Sequence, residues 1–408
     1  RDKVLGFATE FGSPSAHTAV LARALQIPAI VALRNVTKEV SVGDEVLIDG
    51  NKGVMIINPT SVQLKKYGHV QEIRLSIQKD LEELRNKKAQ TTDGKKIVLS
   101  ANIESPDEVK VVKEYGADGI GLFRSEYLFM LKDRFIDEEE QAESYSAVAK
   151  GLAPSSVIIR TLDMGGDKWF PGKQGRKEAN PFLGCRSIRL SLANPDLFKT
   201  QLRAILRASV SGNIKIMYPM ISGESEVEAA NEILNEAKKE LDKEGVPFDR
   251  KIQVGVMIEV PSAVLVAELI GEHVDFFSIG TNDLIQYTMA VDRTNENVAY
   301  LYDPTNPAIL RMLKQTIDAA HKCGIWAGIC GEMAADPVIT PLLVGLGIDE
   351  LSVAPSAVPL VKDAIRSLKF RETESLAKSA MECRSSMEVL YQCRKMIKQA
   401  APELMELI

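Results

Sequence analysis

Apolar residues in this chain come in short runs, and longer stretches with helical spacing separate them. Beyond Lys95 the alternation is regular. Apolar runs at 97–101, 119–123, 157–160, 214–217, 253–258, 276–279, 325–329 and 350–353 predict strands. Between them, apolar residues recurring every three to four positions predict helices over 106–115, 197–211, 224–244, 262–270, 308–323 and 337–346. Short buried runs joined through helices are the pattern of a parallel sheet built from βαβ units. Eight strands in about 270 residues fit an α/β fold, the (β/α)8 TIM barrel, which takes roughly 250 residues plus insertions.

The first part of the chain reads differently. Residues 1–60 form a small unit with predicted strands at 4–7, 27–31, 45–48 and 53–57 and a hairpin turn at Asp49-Gly50-Asn51. A loop of turn formers, Gly12-Ser13-Pro14-Ser15-Ala16-His17, leads into a helix over 18–25. Residues 61–94 are a charged, mostly helical connector that ends near Thr91-Thr92-Asp93-Gly94. Residues 95–408 hold the barrel and an amphipathic helical tail from 371 onward, in which no chemistry is readable.

Composition narrows the classes. A net charge of −6 gives no reason to expect nucleic acid or an acidic membrane as partner, so local arginines must attract any anionic substrate. The five cysteines are odd in number, with no CxxC pair, which suits a reducing cytoplasm. There is no apolar run of membrane length and no signal peptide. The chain opens on Arg1-Asp2-Lys3 without an initiator methionine, so it is expected to be a fragment or a processed piece.

In a β/α barrel, chemistry collects where the strands end. Arg124 follows the second predicted strand, and Arg160 and Asp163 end the third. Arg186 and Arg189 lie in the long segment after it. Met220 follows the fourth strand, Glu259 the fifth and Asn282-Asp283 the sixth. Arg293 lies in the sixth loop, and Cys330-Gly331-Glu332 follows the seventh strand. Taken singly, each has an ordinary reading: an arginine as a surface ion pair, Glu259 and Asp283 as salt-bridged or capping carboxylates, Cys330 as a small buried hydrophobe. Together they describe a mouth with guanidiniums around two carboxylates. Guanidiniums bind phosphate and carboxylate oxygens in pairs, and two carboxylates beside them make an oxygen-ligand site for Mg2+. The inferred ligand is a small molecule with phosphate and carboxylate groups. His17 begins a helix, where a phosphate would meet free N–H groups, and an imidazole is a competent nucleophile toward phosphorus. Its ordinary reading is a capping-turn histidine.

Several blocks then speak together. GSPSAHTAVLARALQIPAI resembles the phosphohistidine segment of the phosphoenolpyruvate-utilising enzymes. GLFRSEYLFM, IIRTLDMGGDK, NPFLGCRSIR, IEVPSA, SIGTNDLIQYTMAVDR and GICGEMAADP resemble the barrel of the enzyme I family, the phosphoenolpyruvate–protein phosphotransferases of the bacterial sugar phosphotransferase system. The resemblance covers nearly the whole chain, in the family's order. It implies a partial swivelling phosphohistidine domain, a helical linker and a phosphoenolpyruvate-binding TIM barrel.

The resemblance implies roles as well. His17 would carry the phosphoryl group. Arg124, Arg160, Arg186 and Arg293 would hold the phosphate and carboxylate of phosphoenolpyruvate, with Asn282 on the phosphate. Glu259 and Asp283 would bind Mg2+, and Cys330 would protonate the enolate to give pyruvate. The implied partners are a histidine phosphocarrier protein and a second copy of the chain, paired through the barrel. His17 would have to enter the barrel mouth and leave it again, so the breaks at Asn58-Pro59 and at 91–94 are expected hinges. The family's Gly-Gly-x-Thr-Ser-His stands here as Gly12-Ser13-Pro14-Ser15-Ala16-His17. The family's preceding segment, with its carrier-docking helical domain, is expected to be missing. Two other readings remain: a dikinase-type relative, although no Gly-x-x-x-x-Gly-Lys loop is found, and a non-catalytic phosphoenolpyruvate sensor.

Overall fold

The computed structural model describes residues 4–12, 22, 27–50, 52–65, 67, 83–132, 136–165, 178–295 and 297–407. In the first unit, β1 (Phe7–Ala8) pairs in parallel with β2 (Ala29–Ile30), and β3 (Val46–Asp49) forms an antiparallel hairpin with β4 (Val54–Ile57). Val46 faces Ile57 and Asp49 faces Val54, so the turn falls where Asp49-Gly50-Asn51 predicts it. His17 and most of the expected 61–94 connector lie outside the described residues.

From residue 98 on, eight parallel strands close into a barrel in sequence order: β5 (Val98–Ile103), β6 (Ile120–Arg124), β7 (Val157–Arg160), β8 (Ile214–Tyr218), β9 (Gln253–Ile258), β10 (Phe276–Ile279), β11 (Trp326–Ile329) and β12 (Glu350–Val353). β12 pairs back onto β5, with Glu350 opposite Val98. Closure leaves no open edge.

Each strand is apolar on both faces because both are covered. Outward residues such as Phe123, Ile159, Ile216 and Val256 pack under the surrounding helices. Inward residues Leu122, Ile158, Met217, Met257 and Phe276 fill the barrel itself. Among the described residues, no helix is long and apolar enough to cross a membrane.

Asn282 and Asp283 follow β10 in the first turn of the helix Thr281–Met289. Two local expectations shift. The helix expected over 262–270 is two short helices, Pro261–Leu265 and Ala267–Gly271, joined at Val266, whose φ of −112° lies outside the helical range. The helix expected from 337 begins at Thr340, because the Asp336 carboxylate accepts the Val338 N–H at 2.8 Å and holds a turn there.

The tail is bound to the barrel through a close approach. Helix Thr340–Leu346 packs on helix Phe370–Glu382 with Gly345 at the contact, where a Cβ would lie 1.9 Å from the Thr373 carbonyl oxygen. Gly345→Ala should therefore destabilise the chain by about 2 kcal/mol, since a methyl there overpacks a backbone contact. Urea unfolding measures it, and an unchanged midpoint would show that the two helices separate freely.

Candidate active site

Side chains alternate along a strand, so parity decides which residues look into the barrel. Arg124 shares parity with Leu122, Arg160 with Ile158, and Glu259 with Met257; the second residue of each pair fills the interior. All three therefore point inward, one step past the packed layer, at the carboxyl ends of β6, β7 and β9.

The segment after β7 completes the mouth. It folds back so that Arg186 bridges to Gly165, while the Ser187 N–H donates to the Met164 carbonyl at 3.0 Å. This return places Arg186 against the β7 end. Asp163 lies between the two guanidiniums. Arg160 Nη1 forms an ion pair with it at 2.8 Å, Arg186 Nη2 donates to it at 3.1 Å, and the Ser187 hydroxyl donates as well. Arg160 reaches in the other direction to Glu126, in the first turn of helix Glu126–Lys132. Arg186 Nη2 also lies 3.7 Å from Asp283, and its guanidinium sits over the Phe182 ring at 5.7 Å.

Burial alone would raise the Asp163 carboxyl, but the two arginines bring it down to about 2. Glu259 shows the opposite balance. Burial, then the like charges of Asp283 and Asp163, push it well above the carboxylate range. Its Oε1 accepts the Met220 N–H at 2.7 Å, and Met220 has a φ of 56° to deliver it. Such left-handed backbone in a non-glycine residue stores strain of about 1–3 kcal/mol, and it clusters at functional sites. Gly280 makes room on the other side, since a Cβ there would come within 2.7 Å of Glu259 Oε2. Two buried carboxylates with only oxygen donors, one held at a raised pKa by the other, suit a hard dication.

Cys330 closes the floor of the mouth, 4% exposed among Leu122, Ile158, Met217, Met257 and Phe276. Burial pushes its thiol up to about 11, and the sulfur faces the Ile279 carbonyl at 3.7 Å. Asn282 Oδ1 accepts the Glu332 N–H at 2.9 Å, tying the β10 and β11 ends together.

Arg124 stands at the rim, about one-third exposed, and pairs with Glu104 at 2.7 Å. Arg293 follows the helix Thr281–Met289. Its backbone N–H donates to Gln286 Oε1 at 3.2 Å, and its guanidinium lies near the Tyr302 phenol. The structure thus brings Arg160, Arg186, Glu259, Asp283 and Cys330 together, keeps Arg124, Asn282 and Arg293 at the margin, and leaves His17 outside the described residues.

Sequence reasoning missed Glu126 and Tyr287. The Tyr287 hydroxyl donates to the Phe182 carbonyl at 2.6 Å and lies 3.5 Å from Arg186 Nη1, pinning the returning segment. A helix starting at Thr281 puts Tyr287 one turn beyond Asp283, and no helix was expected over those residues. Nothing in the sequence distinguishes Glu126 from a surface carboxylate in a helix's first turn.

Residues 78–370 match the phosphoenolpyruvate-binding domain of the phosphoenolpyruvate-utilising enzymes, and residues 1–53 match their mobile domain. The phosphoenolpyruvate-protein phosphotransferase of Listeria innocua is 47% identical over 390 residues, spanning 96% of this chain and 68% of the relative. Its namesake in Staphylococcus carnosus is 45% identical over the same shares. Among solved structures, a citrate lyase from Burkholderia xenovorans aligns with a TM-score of 0.43 at 13% identity, covering 79% of this chain and 100% of that one.

The Asp163 carboxyl has a lower pKa folded than unfolded. Its contribution to stability is therefore complete above about pH 4 and lost as the pH falls toward 2. Asp163→Asn should be less stable than the parent at pH 7 and should show a flatter loss of stability between pH 4 and 2. Denaturant unfolding at each pH tests this. Parallel acid profiles would mean that this charge does not hold the two arginines.

Proposed function

The chain belongs to the phosphoenolpyruvate-utilising enzymes, and from that premise we propose that it transfers the phosphoryl group of phosphoenolpyruvate to His17, releases pyruvate, and passes the phosphoryl group to a histidine phosphocarrier protein. The observation that carries this reading is the pair of guanidiniums, buried Arg160 and half-buried Arg186, fixed side by side on Asp163 above Cys330 and beside Glu259 and Asp283. Relatives at 45–47% identity named for this same activity disfavour the dikinase and sensor readings.

In this reading Arg160, Arg186, Arg124 and Arg293 take the phosphate and carboxylate oxygens, and Asn282 takes a phosphate oxygen. Phosphoryl transfer needs little from a protein beyond position and charge neutralisation, which fixed guanidiniums supply. An imidazole nitrogen of His17 attacks phosphorus as the bond to the enol oxygen breaks. The enolate's terminal carbon then takes a proton from the Cys330 thiol, leaving a thiolate that solvent reprotonates. A thiol pushed up to about 11 remains protonated at neutral pH, as a proton donor must. Glu259 and Asp283 would hold Mg2+, which supplies charge neutralisation at the phosphate when bound.

The protein works in the cytoplasm and pairs with a second copy through its barrel, in keeping with five cysteines that form no disulfide. Residues 1–60 are the swivelling domain, 61–94 the linker and 95–408 the barrel with its tail.

The test is labelling with [32P]phosphoenolpyruvate and Mg2+, set beside thermal unfolding. Acid-labile label is expected on the parent and absent from His17→Ala, while phosphoenolpyruvate protects both from unfolding. No label and no protection would sink the reading. Cys330→Ala should keep the protection and lower pyruvate formation by roughly 10²-fold or more. Undiminished turnover would remove Cys330 from the reaction.

A further inference from the structure

Glu126 has no place in that reaction, yet it is tied to the reaction's most buried cation. Its Oε1 pairs with Arg160 Nη2, and its side chain is 15% exposed. Among the described residues its Oε2 is buried without a hydrogen-bond partner, as is Arg160 Nε. This differs from Asp163, which has two donors and the Arg160 ion pair around it and is held ionised. A buried carboxylate with one oxygen bonded and the other bare is costly to keep charged. It is the weaker of the two anions that hold Arg160.

Counting charge sharpens the point. Arg160 and Arg186 face Glu126, Asp163, Glu259 and Asp283, so four carboxyl groups share two guanidiniums in the mouth. An anionic phosphate brought to Arg160 must compete with carboxylates already there. The groups that face Glu126 are Arg160 and Asp163 from the end of β7, Arg124 from β6 and Tyr145 from helix Glu138–Leu152. Of these side chains, the arginines favour its charge, as does its own backbone N–H. Burial already raises its pKa, and losing Arg160 would raise it further.

We propose that Glu126 is a positioning residue for phosphoenolpyruvate: it holds Arg160 in place in the empty mouth, yields it to the substrate's phosphate, and takes up a proton from solvent as it does so. Asp163 stays ionised and keeps both arginines in register. The exchange is balanced, because one proton enters as one ion pair is replaced by another. Neutral Glu126 then no longer repels the bound anion.

This inference rests on the proposed substrate, so the measurement separates the two. Phosphoenolpyruvate and Mg2+ are titrated into the intact chain by calorimetry at pH 8, in buffers of different ionisation enthalpy. The slope of observed enthalpy against buffer enthalpy counts the protons exchanged. The parent is expected to take up close to one proton more than Glu126→Gln, and any proton exchange belonging to the substrate or the cation cancels in that difference. The ratio of the parent's Kd to the variant's should rise by up to about tenfold per pH unit between pH 7 and 9, because titration of the substrate and of the cation's carboxylates is common to both. A merely structural Glu126 would move neither readout. Equal proton counts in the two proteins, or a pH-independent ratio of the two Kd values, overturn the proposal while leaving the substrate standing. Should Glu126→Gln not fold, Glu126→Ala takes its place in both comparisons. Absence of any binding heat or thermal protection would instead bring down the substrate assignment, and this inference with it.

Discussion

One carboxylate between two guanidiniums sets the geometry of the mouth. Asp163 takes Arg160 at 2.8 Å and Arg186 at 3.1 Å. The pattern continues in both directions: Glu126, Arg160, Asp163, Arg186 and Asp283 form a chain of alternating sign. Burying charge is expensive, and truncating one partner of such a chain strands the others. Alternation is what lets a dry barrel mouth hold this many ions before any ligand arrives. Glu259 stands apart from it. Burial and the nearby Asp283 and Asp163 all oppose its charge, while the Met220 N–H donates to it. It is the surplus carboxyl group of the mouth, the one whose ionisation an added cation would do most to favour.

The backbone is shaped around that surplus. Met220 holds a left-handed φ to aim its N–H at Glu259, and Gly280 withholds a side chain from the carboxylate's other oxygen. Tyr287 fastens the segment after β7 to the helix after β10, and Asn282 fastens that helix to the β11 end. Three separate strand ends are thus cross-linked above the packed layer. A site held this way loses little freedom when a substrate arrives, which is the physical content of preorganisation.

Much of this was legible in the sequence. The eight barrel strands read correctly to within two residues at either end because a parallel strand covered on both faces must be an uninterrupted apolar run. Arg160, Glu259 and Cys330 were readable because they stop such runs. The pairings were not readable. No spacing says that Arg186, 26 positions after Arg160, returns to the same carboxylate, since that depends on the bridge from Arg186 to Gly165. Glu126 was hidden for a different reason. A glutamate in a helix's first turn is the expected surface choice, and only the parity of β6 and β7 turns this one toward Arg160. The helix at Thr281 was not among those expected: Gly280 marks the end of the strand, and its place in clearing Glu259 shows only in the fold.

The two ends of the barrel divide the demands of stability and chemistry. Near the amino ends of the strands, Phe276 and Trp326 stack at 4.6 Å, and the Lys215 ammonium lies 4.7 Å from the Trp326 ring and near buried Glu350. These groups pack against one another and leave no side for a ligand. At the carboxyl ends the packed layer stops at Cys330, and the ions begin above it. Carboxyl groups at that level divide according to their partners: two guanidiniums bring Asp163 down to about 2, whereas burial raises Glu126 and Glu259. A thiol answers the same surroundings differently. Its sulfur lies in the apolar floor, and burial takes it up to about 11 despite Arg160 and Arg124 nearby. In the proposed reaction the enolate therefore meets, below a cluster of cations, a group that still has its proton to give.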